Sequence, residues 1–503
     1  MADIPSMPPR PDPGPRPVAG PRPHGTWTGI GISVAFGLVL DAALDGPPGI
    51  GFLLVALAAA LGLIAMTRPR PSALPFFGGG LVLMSFAVLR ASALVVAADT
   101  LGALCLFAAG AAFAREGSPL SSTARGYVAR TVALIGGLPQ GIASLTPPIA
   151  RGVGGTTVLR RIPTTVVIVV PVVGVLAILL GTADPVFGHL LTTPVQHVDV
   201  VSFPVHLIEV GAGAVAFAVL VARARRPVTL GPLEATIDLG ATPAGGSWVP
   251  LLISVDVLFG AFVAVQFAYF FGGRTRVLTQ QGLTFAEYAR TGFWRLLAAT
   301  TMTGGVLAFA WMAGGRERSH RTAFRWLAGS LVLLDLIVLA SAFRRLTLYE
   351  DTFGWTWPRL AVHATILAVG ALLLCGLIAV VRGRVAWLPT AAVAVATLTL
   401  IAFSAVNPDA FIAQRNLERY ERTGDLDVAE LRSLSADAVP VLVEALPALD
   451  PCARLHVAAL FDDTSALEQR SGWASWNLGR ERAADAVAAL GGVDQRPVPA
   501  SCL

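Results

Sequence analysis

The feature that most constrains this chain is a series of apolar stretches, each close to the length of helix that crosses a bilayer. An α-helix rises 1.5 Å per residue, so about 20 apolar residues match a hydrocarbon core of about 30 Å. Eleven stretches approach that measure: 27–44, 50–66, 75–89, 92–114, 163–182, 204–223, 249–271, 296–314, 326–343, 360–381 and 386–405. The third is short and Arg90 separates it from the fourth, which predicts a tight hairpin or a broken helix there. Composition agrees with the spans. Of 503 residues 54% are hydrophobic and only 14% charged, against about 25% charged in ordinary globular chains, and the mean hydropathy is +0.68. Too few charges remain to cover the soluble surface of several domains. Disordered, coiled-coil and disulfide-rich secreted classes are excluded on the same ground. The expected fold class is all-α: a polytopic transmembrane helical bundle of about eleven spans over 27–405, followed by a small extracytoplasmic helical C-terminal domain over 406–503.

Residues 1–26 stand apart. Nine prolines between Pro5 and Pro23 block helix and sheet, so this segment reads as a solvated, disordered tail rather than a signal peptide. Orientation follows from the arginines, since the chain has no lysine and cytoplasmic loops hold the excess of positive charge. With the N-terminus inside, twenty bundle and tail arginines fall on the cytoplasmic side and eight on the outer side. Trp27, Trp248, Trp311, Trp326, Trp355, Trp357 and Trp387 lie at or near span ends, as an interfacial aromatic belt requires. The segment 115–162 is ambiguous: its half-apolar stretch Val128–Ile149 is broken by Gly136, Gly137 and Pro139, which suits a re-entrant, interfacial or loop segment.

Eleven spans from an inner N-terminus put the C-terminus outside. Residues 406–503 carry nine arginines and fifteen acids, an acidic balance that fits the outer side. Asn407 as N-cap, Pro408 at the first helical position and Asp409 against the helix dipole predict a helix start. Asp450-Pro451 repeats that pattern, and Ser471-Gly472 predicts a break before a last helix. Of the four cysteines, Cys105 and Cys375 lie in spans, where a small apolar filler role is expected. Cys452 and Cys502 fall in the outer domain and are available for a disulfide there.

No phosphate-binding loop, zinc-protease helix or nucleophile elbow occurs, so no cofactor or metal is expected. The basic balance reflects inner loops facing anionic lipid, not nucleic acid. The stretch 183–209 gathers Asp184, His189, His197, Asp199 and His206 at spacings that match no ligand signature. Ionisable groups within spans are costly and therefore candidates for function: Asp99, Glu209, Asp256, Asp335 and His363, joined by the polar Gln266. Against that stands a structural role, in which each caps a neighbouring helix or pairs with a buried arginine. The densest chemistry lies in two expected outer loops. In 272–295, Thr284 precedes Glu287 by three, a capping box opening a short amphipathic helix, with Tyr288, Arg290 and Arg295 beside it. In 344–359, Arg344, Arg345, Tyr349, Glu350, Asp351, Trp355, Trp357 and Arg359 crowd together. Glu–Arg pairs locking the loops, recognition of an anionic or sugar-bearing ligand, and catalysis are the three roles these groups suit.

Three runs carry a family resemblance: "LFGAFVAVQFAYFFGG" (258–273), "GLTFAEYARTGFWRLL" (282–297) and "SAFRRLTLYEDTFGWTWPRL" (341–360). They resemble the bacterial membrane family known as domain of unknown function 4173. The tail runs "AVNPDAFIAQRNLERY" (405–420), "LSADAVPVLVEAL" (434–446) and "WASWNLGRERA" (473–483) are similar to the C-terminal part of its actinobacterial members. The resemblance implies signature positions at Gln266, Glu287, Tyr288, Ala289, Arg290, Gly292, Phe293, Arg345, Tyr349 and Gly354, and implies no activity. The arginine-only, alanine- and glycine-rich composition suits a high-GC actinobacterium.

The expectation that follows is a non-enzymatic, multi-pass inner- or plasma-membrane protein that binds or moves a cell-envelope ligand at its outer face, or meets a membrane-protein partner there. A competing reading is a polytopic lipid-linked glycosyltransferase with Asp41 or Asp45 as its acid. Its weakness is a first outer loop of only nine residues, "DAALDGPPG". An ion-coupled secondary transporter is a third reading, weakened by the lack of an internal repeat between the halves.

Overall fold

A computed structural model describes residues 27–44, 46–115, 117–123, 126–127, 129–130, 145, 202–225, 248–271, 299–311, 320–461 and 472–490. Among them all regular structure is helical. In chain order the long helices are α1 (Trp27–Leu44), α2 (Ile50–Thr67), α3 (Leu74–Leu89), α4 (Ala93–Ala112), α5 (Ser202–Arg225) and α6 (Trp248–Phe271). They continue with the apolar helix α7 (Ala299–Ala310) and with α8 (Arg321–Phe353), α9 (Trp357–Arg382) and α10 (Leu388–Val406). Five shorter helices make the C-terminal module: α11 (Pro408–Thr423), α12 (Val428–Ser433), α13 (Val439–Ala445), α14 (Pro451–Ala458) and α15 (Leu478–Ala489). Six of the long helices are long and apolar enough to cross a membrane: α2, α3 with its leading turn from Pro71, α4, α8, α9 and α10.

The expected spans locate most of these helices, and the differences lie at their ends. The largest is α8. The stretch expected to leave the helix after residue 343 and run as a loop from 344 to 359 stays helical to Phe353, leaving three connecting residues before α9. At 33 residues, α8 is about 50 Å long, well beyond a hydrocarbon core. Its last three turns are polar, so the apolar part of the helix is shorter than the whole. The first loop is shorter still: α1 runs to Leu44, so Asp41 sits in a helical turn. Asp45, the stretch 163–182, most of 115–162 and the loop 272–295 lie outside the described residues.

Helices α1–α5 share one core, in which Phe76, Phe77, Leu83, Phe107, Phe113 and Phe217 are buried. Glycine lets two backbones meet there. A Cβ on Gly37 of α1 would fall 2.2 Å from the Val210 carbonyl oxygen of α5, and one on Gly213 would fall 2.7 Å from Leu40. Small residues at such crossings are what association in lipid depends on. Helices α6–α9 pack around Trp248, Leu252, Phe324 and Leu331 and around Val332, Leu339, Leu346 and Ile366. Trp248 is fully buried, so it belongs to this core and not to an aromatic belt. Helix α10 packs on α9 and also on α3 and α4, and so joins the two halves.

Direction along the bundle is fixed by contacts between helix ends. The Arg225 Nε at the end of α5 donates to the Met66 carbonyl near the end of α2, and the Arg70 N–H donates to the Ala114 carbonyl just past α4. Trp248 at the start of α6 lies edge-on to Phe324 near the start of α8. The connections 68–70 and 383–387 lie on this far face. The opposite face carries the connections 45–49, 90–92 and 354–356 and the C-terminal module.

Candidate functional site

The module has its own apolar core around Ala413, Leu417, Leu442, Leu446 and Val457, but its buried polar residues point to the seam with the bundle. Asp409, Asn416, Arg419, Asp437, Ser475 and Asn477 are all buried. Helix ends leave N–H and C=O groups without intrahelical partners, and the module supplies those partners from a distance. The Asp437 carboxylate accepts from the Ala91 N–H at 2.7 Å and the Ser92 N–H at 3.3 Å, at the start of α4, where Ser92 itself makes no side-chain cap. The Asn477 side chain donates to the Ala87 carbonyl at 2.9 Å and the Arg90 carbonyl at 2.8 Å, at the end of α3. Arg480 holds the Pro48 carbonyl, and the Ile50 N–H that opens α2 donates to the Trp476 carbonyl. A Cβ at Gly479 would fall 2.1 Å from Asp437 Oδ1, so only glycine leaves room for this cap. Burial holds the Asp437 carboxyl above its usual range, partly opposed by the Ala91 N–H and the Arg90 guanidinium.

At the other end of the seam the module clamps the α8–α9 corner. Gly354 ends α8 at φ +78 and its N–H donates to the Glu350 carbonyl. Asn416 of α11 accepts from the Trp355 N–H and donates to the Trp355 carbonyl, both at 2.8 Å, pairing with both backbone groups of one residue as a neighbouring strand would. Arg419 donates to the Thr352 carbonyl and to Asp425. Arg359 donates to the carbonyls of Phe353 and Gly354 and lies 4.5 Å over the Tyr349 ring. Cations on the last carbonyls of a helix are favourable against its dipole.

Inside this corner lies the most chemically loaded contact among the described residues. Glu350 Oε1 of α8 and His363 Nδ1 of α9 are 3.1 Å apart, with side chains 0% and 8% exposed. The Trp355 ring stacks on His363 at 5.2 Å and Phe343 meets it edge-on at 4.7 Å. Phe411 of the module closes over Trp355. His363 Nδ1 also lies 3.4 Å from the Arg359 carbonyl oxygen, and among the described residues His363 Nε2 has no hydrogen-bond partner while the Glu350 carboxyl has only its close contact with His363. Buried polar atoms without partners are rare because each forgoes its solvation. Glu430 of α12 stands near the start of α9, its carboxyl raised by burial and lowered by the Trp357 backbone N–H and by Arg359.

The expected site residues divide. Tyr349, Glu350 and Arg359, expected in a loop, and His363, expected in a span, come together in this corner. The Glu–Arg pairing considered for Glu350 is replaced by its contact with His363; Arg359 instead serves helix-end carbonyls. Arg344 is exposed, and Arg345 lies one residue further along α8. Glu287, Tyr288, Arg290 and Arg295 lie outside the described residues, as do Cys502, the histidine-bearing stretch 183–201 and the side chain of Gln266. Cys452 stands in the first turn of α14, and Glu209 lies on α5.

Three further acids of the long helices each meet a hydroxyl on another helix. Asp99 accepts from Ser404, Asp256 from Ser330 and Asp335 from Thr300, all at 2.8 Å. Among the described residues, each has no partner for its second oxygen. The three acids thus have separate partners on separate helix pairs, hydroxyls rather than the buried arginines or helix ends expected of a structural role. Asp99 also connects to the seam, because Arg90 donates to the Ser404 and Ala405 carbonyls. No group of three or more metal-ligating side chains occurs among the described residues.

Sequence reasoning missed Asp437, Asn477, Asn416 and Arg419 as a set. The signal was present, since all four lie in the three tail runs that carried the family resemblance, but their partners are main-chain atoms that no side-chain motif names.

These features define an all-helical protein with several helices able to cross a membrane and a C-terminal module docked on one end of the bundle. A family model described as a domain of unknown function (DUF4153) matches residues 30–445. The chain belongs to that family. The resemblance to family 4173 is corrected accordingly: the match is to a domain of unknown function with a different number, and it covers most of the chain rather than its second half alone. No curated protein and no solved structure matches the chain.

Proposed function

We propose that this is a multi-pass integral protein of the inner or plasma membrane, with its N-terminus cytoplasmic and its C-terminal module outside, which binds or moves a cell-envelope ligand at the module-bearing face. Arginine placement supports the orientation. Arg68, Arg70, Arg115, Arg225, Arg321, Arg325, Arg382 and Arg384 belong to the far face, whereas the bundle carries Arg90, Arg344, Arg345 and Arg359 towards the module side, Arg90 and Arg359 being tied to helix-end carbonyls. The excess of positive charge marks the cytoplasmic side. Helix α4 ends on the far face and α5 begins on the module face, so an odd number of crossings between them, such as the stretch 163–182, completes eleven spans. Helix α6 runs towards the module face, so its end at Phe271 lies on the same side as Tyr349, Glu350 and Arg359.

The observation that carries the reading is the Glu350–His363 contact: an acid and an imidazole, both buried, with His363 Nε2 unpartnered among the described residues, at the corner where two spans meet the module. Such groups are retained against their solvation cost where they do chemistry or binding. Two measurements test the proposal. With the module in an oxidising compartment, Cys452 and Cys502 are expected to pair, and an impermeant maleimide added to intact cells should label them only after reduction. Labelling that requires permeabilised cells places the module inside and removes the envelope reading. Cells lacking the protein should become more sensitive to a detergent challenge. Glu350→Gln and His363→Gln should reach wild-type abundance yet fail to restore resistance. Full restoration by both variants rejects the site.

A further inference from the structure

The segment that docks α15 also presents two tryptophans outward. Gly472, at φ +61, turns the chain into a short 3-10 turn, Trp473–Ser475. Ala474 and Ser475 face inward and are buried, but Trp473 is 70% exposed and Trp476 45%. The backbone at this point is fixed against the bundle. The Ile50 N–H donates to the Trp476 carbonyl at 2.9 Å, and a Cβ on Gly49 would fall 2.5 Å from the Ser475 carbonyl carbon. Both indoles are therefore held beside the first turn of α2. From that turn the outer face of α2 continues as Leu54, Leu57 and Leu61, 37%, 40% and 57% exposed, about 6, 10 and 16 Å further along the helix axis. An apolar helix face begins where the two rings sit.

We propose that Trp473 and Trp476 form an interfacial anchor that seats the C-terminal module in the headgroup layer of the bilayer. The partner is the lipid surface, and the argument is continuity: the rings stand at the end of a lipid-facing helix face, at the level where a span leaves the hydrocarbon. An indole suits that layer because its body is apolar and its N–H is a donor. The anchor needs only that α2 crosses the membrane, so it does not depend on the role proposed for Glu350 and His363.

The test uses the full chain in phosphatidylcholine–phosphatidylglycerol vesicles, with bromine atoms placed either near the headgroup or near the end of the acyl chains as quenchers of tryptophan emission. The Trp473→Phe/Trp476→Phe variant and the single Trp473→Phe variant are compared with wild type. The emission lost in the variants should be strongly quenched by shallow bromines and several-fold less by deep ones. Emission from the two rings that neither bromine position quenches overturns the proposal. So does emission that shifts with protein-to-lipid ratio in the absence of bromine, which would assign the rings to a contact between protein copies.

Discussion

The two halves of the bundle are both helical and both apolar, yet they are held together differently. In α1–α5 one core runs through the half, with aromatic rings laid against one another: Phe36 stacks on Phe217 at 4.9 Å, and Phe77 on Phe107 at 6.2 Å. Its buried polar groups include Ser33, Thr67, Ser92, Asp99 and Arg130; the first three are helix-end or helix-backbone groups, and Asp99 faces α10 rather than the core. In α6–α9 the apolar packing falls into two smaller clusters, and buried Asp335, Thr300, Thr303, Ser341, Glu350 and His363 lie among them. Within lipid there is little hydrophobic gain from pressing two apolar helices together, so close packing and cross-helix hydrogen bonds decide association. The first half relies on packing. The second adds cross-helix polar contacts, among them a buried carboxyl against an imidazole.

The largest effect should follow from opening the packed half. Phe217 is 1% exposed, stacks on Phe36 and lies over Gly62, whose Cβ would meet it at 2.7 Å. Phe217→Ala should lower stability by about 3 kcal/mol, as a cavity in a core does. Asp335→Asn in the other half keeps the shape and should cost about 1 kcal/mol or less, the range for single intramembrane hydrogen bonds. Unfolding in increasing detergent denaturant measures both. Equal losses would break the distinction between a packed half and a polar half.

A smaller effect, and one that depends on pH, should come from the seam. Asp437→Ala removes the cap of α4 and should weaken module docking by about 1–2 kcal/mol. The Asp437 carboxyl is raised by burial in the docked state, whereas an exposed Asp titrates near 3.9. The docked form therefore holds the proton more tightly. Its contribution is complete below the exposed value and is lost as pH rises through the raised one. Glu430 is shifted the same way. Protease nicking at the seam should accordingly increase from about pH 4 towards neutrality, and Asp437→Asn should flatten that dependence. A dependence of opposite sign would mean that docking favours the ionised acid.

Much of this architecture was legible because its causes are local. Span length, Pro408 and Pro451 at first helical positions, and the Asp450 cap, which accepts from Cys452 and Ala453, are all written within a few residues. Asn407 was read correctly as a boundary for a different reason: its side chain makes no cap, and it serves by adopting a left-handed conformation at φ 59. The corner at 350–363 was legible only in pieces. Glu350 and His363 were picked out separately, one as a loop acid and one as a span histidine. The error in placing the end of α8 kept them apart, since the polar end of a long helix has the composition of a loop. The seam was hidden for a deeper reason. Asp437 and Asn477 cap helices more than 340 residues away in sequence, and their partners are backbone atoms that look the same at every position.

The smallest effect separates two arginines that the sequence presented as equals. Arg344 and Arg359 both lie on the module side and both entered the expected ligand site. Arg359 donates to two carbonyls at the end of α8 and covers the Tyr349 ring, so Arg359→Ala uncovers those groups together and should cost about 1 kcal/mol. Arg344 is exposed, and Arg344→Ala should change stability by no more than about 0.5 kcal/mol. Paired thermal denaturation of the two variants measures the difference. If Arg344→Ala leaves stability intact but abolishes detergent resistance in cells, its guanidinium is a ligand contact rather than a structural one, and the working face extends along α8 beyond the Glu350 corner. If it leaves both unchanged, the polar half narrows to the buried pair and the cap that holds it.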